Sequence, residues 1–151
     1  MDSSATNGVY DTAAQGWTGR IAALGYPSAY HAFASRALAQ LPRPGSVYDI
    51  GCGSGDFAAA VWAVQGDGAR FTLVDPSGPM LERAVARLAR HGVTAALKRS
   101  TLAGAQGRFD MVLAAHVIEH CPDQAKALVA LSGLTRLGGS VLLIVSKPHW
   151  C

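Results

Sequence analysis

Apolar side chains at Tyr10, Ala14, Trp17, Ile21 and Leu24 return every three or four positions, with mostly polar or small residues between them. That period predicts an amphipathic helix. "GYP" at 25–27 stops it, and a second helix is predicted from about Ser28, with Tyr30, Phe33, Ala37 and Leu41 on one face. "PRPG" at 42–45 breaks that helix. The pattern then changes. "SVYDI" at 46–50 reads as a short buried strand, a glycine loop follows, and a helix is predicted from about Asp56 to Gln65. "RFTLVD" is a second strand. "PSGP" opens a helix with Met80, Leu81, Ala84, Val85 and Leu88 on one side, and Gly92 ends it. "VTAALK" and "FDMVLAA" are the third and fourth strands. Pro122 is placed in the first turn of a helix bearing Leu128, Leu131 and Leu134. Gly138 and Gly139 are expected to end that helix, and "SVLLIVS" is the fifth strand.

Strands that alternate with helices, and that are near-continuous apolar runs, are the pattern of a parallel sheet covered on both faces. The expected class is α/β: a doubly wound, mostly parallel sheet of about five strands with an N-terminal helical cap. Residues 1–8 are small and polar and are expected to be disordered. Residues 9–151 form one domain, with 9–41 the cap and 46–146 the sheet core.

Composition narrows the classes further. A chain of 151 residues, 50% hydrophobic and 15% charged, is long enough for one sizeable core. No apolar run approaches the roughly 20 residues of a membrane span. The start "MDSSATNG" lacks the basic and apolar regions of a signal peptide. No membrane partner is therefore expected. The net charge of +3 is mild. Arg83, Arg87 and Arg90 share one helical face, read as solvated, so no nucleic-acid partner is expected either. Cys52, Cys121 and Cys151 are odd in number, far apart and form no CxxC pair, which fits a reducing cytoplasm.

The stretch "DIGCGSGDFA" at 49–58 carries the chemistry. In a doubly wound sheet, ligands bind beyond the carboxyl ends of the strands, where this loop falls. Glycine admits a positive φ and lets a ligand approach the backbone. A dinucleotide wants G-x-G-x-x-G with its pyrophosphate on a helix N-terminus. Here Gly51, Gly53 and Gly55 are spaced G-x-G-x-G, and Asp49 stands two residues before the first of them. A carboxylate there disfavours a pyrophosphate and favours a ligand carrying an ammonium group. A nicotinamide-dependent oxidoreductase is therefore the weaker reading.

"VYDIGCGSG" resembles motif I of the class I S-adenosylmethionine-dependent methyltransferases. "LVDPSGPML", "FDMVLAAHVIEH" and "LTRLGGSVLLIV" resemble the family's later motifs, in order. "YDTAAQGW" at 10–17 resembles the opening of the ubiquinone/menaquinone-biosynthesis type. The resemblance spans roughly residues 9–146. It implies a Rossmann-like methyltransferase fold, S-adenosylmethionine as cofactor with S-adenosylhomocysteine as product, and methyl transfer to a small-molecule acceptor. It also implies residue roles. Gly51, Cys52, Gly53 and Gly55 would cradle methionine and ribose by backbone, and Asp49 would act on the ammonium side. Asp75 would hold the ribose hydroxyls. Ser77 and Met80 would border the adenine, with Pro76 beside them. The family often has an acid after the third strand to meet the adenine amine. Here there is none before Asp110, so Ser100, Thr101 or Leu102 would supply that contact. Ala115 and His116 would face the methionine moiety. Tyr10 and Trp17 are either a lid on the cofactor or packing aromatics. The family usually continues past its fifth strand with a helix and a hairpin, which this sequence lacks. A non-catalytic or truncated cofactor-binding module is thus the alternative to an active enzyme.

"HVIEH" at 116–120 is a literal H-x-x-E-H, a zinc-protease pattern. Zinc chemistry needs both histidines on one helical face and a third ligand. An apolar strand runs into this motif and Pro122 follows it, so no metal is expected. His31, His116 and His120 are candidate bases by chemistry alone, and no spacing selects one, so no catalytic residue is assigned. The uncharged apolar fifth strand leaves an outer edge open to self-association or to a partner.

Overall fold

The computed structural model describes residues 25–146. Its elements are α1 (Tyr26–Leu38), β1 (Ser46–Ile50), α2 (Asp56–Gln65), β2 (Arg70–Val74), α3 (Gly78–Ala89), β3 (Ala95–Lys98), β4 (Phe109–Ala115), α4 (Gln124–Gly133) and β5 (Thr135–Ile144). The five strands form one sheet in the order β3-β2-β1-β4-β5, and all four pairings are parallel. The fold class expected from the sequence is the one observed. The first predicted helix lies outside the described residues.

Strands β1, β2, β4 and β5 split their side chains between two cores, as the pleat requires. Val47 of β1, Phe71 and Leu73 of β2 and Met111 and Leu113 of β4 face α1, α2 and α3, together with Phe57, Ala58, Leu81 and Leu88. Tyr48, Ile50, Val74, Val112 and Ala114 face α4, with Ala127 and Leu131. On that side the Tyr48 and Phe109 rings stack at 4.2 Å. Helix α1 belongs to the first layer. Its Tyr30 and Phe33 pack on Phe57 of α2 at 5.3 and 5.9 Å.

Several boundaries differ from the sequence expectation. α1 starts two residues before Ser28, because Gly25 at φ 76° turns the chain in and Pro27 fits the first turn. It ends at Leu38, so Leu41 reaches the core from the following loop. Pro122 precedes α4 rather than lying in its first turn. Asp123 is the N-cap, its Oδ1 accepting from the Lys126 N–H at 3.0 Å.

The larger correction concerns Gly138 and Gly139, which do not end α4. The helix stops at Gly133: the Phe109 N–H bonds the Leu134 carbonyl, and Thr135 already pairs with Phe109 in the sheet. The glycines sit inside β5, where the pairing jumps from Phe109–Thr135 to Met111–Ser140. Gly138 takes φ 81° in this bulge, and a Cβ on Gly139 would lie 2.6 Å from the Asp110 carbonyl oxygen. A Gly139→Ala substitution must push two backbones apart. It is expected to cost about 1–3 kcal/mol, which thermal unfolding reads as a Tm lower by roughly 2–4 °C for each kcal/mol.

Candidate functional site

β1 is the central strand, and successive connections leave it in opposite directions, to β2 and, later in the chain, to β4. The loops after β1 and β4 therefore flank the switch-point crevice. Gly51, Gly53 and Gly55 all adopt positive φ, at 62°, 53° and 82°. A Cβ on Gly51 would meet Val117 Cγ2 at 2.7 Å, and one on Gly55 would meet Ala84 Cα at 3.0 Å. The first glycine thus packs against the turn after β4 and the third against α3. Cys52 is held by its own N–H to the Val74 carbonyl at 2.9 Å. Its thiol is pushed well up by burial and by Asp49 and Asp75, so it stays protonated.

Asp75 follows β2 and is 8% exposed. Its Oδ2 accepts the Gly53 N–H and its Oδ1 the Ser77 N–H, each at 2.9 Å. One carboxylate thus ties the glycine loop to the start of α3. A carboxylate at this place, beyond β2 and bonded to the glycine loop, is chemically suited to accept ribose hydroxyls.

Asp49 is 1% exposed, and its Oδ2 has no hydrogen-bond partner. Burial pushes its carboxyl well above the usual range. Asp75 and Asp56 push it further, and the Ala58 N–H in the first turn of α2 only partly opposes them. Asp56 is paired with Arg87 at 3.1 Å. The floor of the crevice is therefore a focus of negative potential that a cation would relieve.

The adenine-side residues are arranged around α3. Ser77 is fully buried and caps α3, its Oγ accepting from the Met80 N–H at 3.3 Å, and Met80 is buried in turn. Pro76 accepts from Arg99 Nε at 2.9 Å. Exposed Thr101 precedes the short turn Leu102–Gly104, whose Leu102 packs on the α4-side core. Ala115 ends β4 beside Ile144, half-buried. Tyr10 and Trp17 lie outside the described residues.

His116 has φ 58°, the positive-φ residue other than glycine among the described residues. His116 and His120 do not share a helix: Ile118–His120 is a single short turn. His116 Nδ1 instead lies 2.8 Å from Ser146 Oγ and 3.3 Å from Glu119 Oε2. Tyr26 and Tyr30 of α1 pack on its ring at 5.2 and 6.2 Å between centroids. Sequence reasoning missed Glu119, Tyr26, Tyr30 and Ser146. The His116–Glu119 spacing was a signal for that pair, and nothing local marked Ser146.

A cavity of about 310 Å³ opens at the other end of the sheet, lined among others by Arg70, Thr72, Arg108 and Arg136. Three guanidinium groups there disfavour a cation. It is set apart from the glycine loop, with Arg70 at the start of β2 and Arg108 just before β4.

With this geometry in hand, the likeness to known proteins has a physical meaning. The family described as "Methyltransferase domain" matches residues 24–150. The chain belongs to the class I S-adenosylmethionine-dependent methyltransferases. It is 38% identical over 100 residues to malonyl-[acyl-carrier protein] O-methyltransferase of Pseudescherichia vulneris, covering 66% of this chain and 38% of that protein. It is 38% identical over 101 residues to ubiquinone biosynthesis O-methyltransferase of Azotobacter vinelandii, covering 63% and 41%. The chain spans about two fifths of the length of those relatives. Its fold matches that of a Methanococcus maripaludis protein assigned to the S-adenosyl-L-methionine-dependent methyltransferases. The TM-score is 0.74 at 19% identity, over 88% of this chain and 62% of that one.

Asp49 gives a prediction for the ligand-free protein. Its folded-state carboxyl keeps the proton to higher pH than an unfolded one. Stability is therefore expected to fall as pH rises from the ordinary carboxylate range, about 4, through that raised value. Asp49→Asn is expected to remove this slope and to stabilise the protein at neutral pH by about 1 kcal/mol or more, roughly 2–4 °C in Tm per kcal/mol. The same variant is expected to bind S-adenosylmethionine more weakly. Melting curves across pH and calorimetric titration measure the two effects.

Proposed function

We propose that this protein transfers the methyl group of S-adenosylmethionine to a small-molecule acceptor. The observation that carries the reading is the pairing of a positive-φ glycine loop with buried carboxylates Asp49 and Asp75 at the switch point. S-adenosylmethionine supplies an activated methyl on a sulfonium, so the protein's work is chiefly to hold the reactants close and aligned. The loop N–H groups and Asp75 are suited to the ribose and methionine. Asp49 supplies the negative potential an ammonium or sulfonium needs. The apolar sides of Met80 and Leu102 suit a purine. The names of both relatives above contain "O-methyltransferase", which supports an oxygen acceptor here.

Cytoplasmic location belongs to the same proposal. No helix among the described residues is long and apolar enough to cross a membrane, and Cys52 and Cys121 are free thiols. Self-association is proposed through β5, because no described strand pairs with its outer edge and Val141 and Val145 are exposed.

Calorimetric titration is expected to detect S-adenosylmethionine and S-adenosylhomocysteine but not NAD, and tight NAD binding alone would sink the reading. Asp75→Ala is expected to weaken the cofactor by about 10- to 150-fold, the equivalent of roughly 1.5–3 kcal/mol for a charged acceptor on a hydroxyl. Unchanged affinity in a folded variant removes Asp75 from the ribose site. Light scattering over a concentration series is expected to show association, and a strict monomer refutes the open-edge proposal.

A further inference from the structure

The end of the sheet away from the glycine loop carries a different chemistry. Ser46 and Arg70 open β1 and β2, Thr94 stands just before β3, Arg108 stands just before β4, and Arg136 is the second residue of β5. With Thr72, Ala96 and Phe109 they line the cavity of about 310 Å³. Its place follows from what covers the sheet. Alternate residues of a strand share a face. Ser46, Arg70 and Thr72 therefore lie on the side of Tyr48, Ile50 and Val74, which pack towards α4, and Thr72 pairs with Ala96 of β3. Helix α4 joins β4 to β5, but the link from β3 to β4 holds a single short turn, Leu102–Gly104. Its sequence, "STLAGAQGRF" at 100–109, has two glycines and no helical apolar period. No helix forms there to cover β2 and β3 on this side, so Thr94 and Ala96 are exposed and Thr72 is half-buried.

The charges at this cavity are unbalanced. Arg136 lies 3.4 Å from Asp110 Oδ1. The Gly45 and Ser46 N–H groups hold that carboxyl below its usual range, so it stays an anion. Arg70 and Arg108 have no ion pair among the described residues. One carboxylate against three guanidinium groups leaves two positive charges around one concavity.

We propose that this cavity binds a small phosphate monoester, at a site separate from the methyl-transfer crevice. Guanidinium forks pair bidentately with oxyanions. A phosphate monoester brings a charge of about −1.5 to −2 and three acceptor oxygens, which match the excess charge and the three donors. A carboxylate brings one charge and two oxygens. The volume lies at the small end of the range for small-molecule sites, roughly 300–1,000 Å³. Thr72, Ala96 and Phe109 remain for the organic part of the ligand. A nucleic-acid strand would need further cations for its successive phosphates. From Ser46 to Ile50 the chain rises four steps of roughly 3.3 Å, about 13 Å in all, so the ligand does not reach the glycine loop and the two sites fill independently.

The whole chain is titrated at constant ionic strength with ribose 5-phosphate, ribose, inorganic phosphate and succinate, and amide NMR follows each. Ribose 5-phosphate is expected to bind with a Kd of about 1 mM or tighter and to move the signals of Arg70, Thr72, Ala96 and Arg108. Ribose is expected to move none of them. Inorganic phosphate, which lacks the organic part, and succinate, which lacks the phosphoryl group, are each expected to bind about tenfold more weakly or worse. Arg70→Gln and Arg108→Gln are each expected to weaken ribose 5-phosphate by about tenfold or more, while S-adenosylmethionine affinity stays within about threefold. No saturable shift, shifts confined to other residues, or unchanged affinity in both folded variants overturns the site. Should a variant fail to fold, the wild-type shift map still decides. Inorganic phosphate or succinate binding as tightly as ribose 5-phosphate overturns the monoester assignment. A 12-nucleotide RNA that displaces ribose 5-phosphate at far lower concentration, with an affinity that falls steeply with salt, overturns it in favour of a nucleic-acid surface. Failure to bind S-adenosylmethionine defeats the proposed function and leaves this site standing.

Discussion

The Asp75 carboxylate is the interaction on which the site depends. Gly53 and Ser77 are far apart in sequence, and each donates an N–H to one of its oxygens. Without that bracket, the glycine loop would have the Cys52–Val74 backbone bond and the contacts of Gly51 and Gly55 to define its path. Charge-assisted bonds of this kind are about twice as strong as neutral ones. They also leave the carboxylate partly shielded from water before any ligand arrives. The loop is thus pre-organised, which lowers the ordering cost that a flexible glycine segment would otherwise charge to binding.

Much of this was legible locally. The strands announce themselves as apolar runs because both faces of a parallel sheet are buried, and Val47 and Tyr48 go to opposite cores although they are neighbours. The three glycines and Asp49 are neighbours in sequence, so their place in one loop needed no tertiary knowledge. What stayed hidden depends on pairing. Gly138 and Gly139 look like a helix stop, and only the Phe109–Thr135 register makes them a bulge. Asp110 reads as a polar residue at a strand start. In the fold its carboxylate accepts the Gly45 and Ser46 N–H groups at 2.9 and 3.0 Å and faces Arg136 at 3.4 Å. It fastens β1 and β5 to β4. Ser146 meets His116 only because β4 and β5 run parallel and end together.

The same parallel arrangement concentrates negative charge. Asp49 and Asp75 stand at or beyond the ends of adjacent strands and Asp56 in the first turn of α2, and both Asp75 and Asp56 raise the cost of ionising Asp49. A fold selected for stability alone would replace that aspartate with a packed apolar side chain, since a buried charge without a partner is costly. Arg87 compensates Asp56, but among the described residues no ion pair compensates Asp49. Under the proposed function the compensation comes from a cationic ligand, so the stability forgone in the empty protein becomes affinity when the ligand binds. This also explains why the arginine-lined cavity at the opposite end is a poor home for the same ligand.

That electrostatic arrangement constrains the reaction. A sulfonium loses its charge as its methyl leaves, so carboxylates that hold the cation stabilise the ground state more than the transition state. Attraction for the sulfonium therefore cannot be the source of rate. Under the proposed function it serves to gather the reactant and to let go of the uncharged thioether product, which interacts less with Asp49 and its neighbours. In the proposed reaction the rate comes instead from holding the acceptor and the methyl group close and aligned. His116 and Glu119 lie on the turn after β4, and the acids Asp49, Asp56 and Asp75 lie on β1, on α2 and after β2. The two loops that flank the switch point meet where Val117 packs against Gly51, and that contact sets the distance between them.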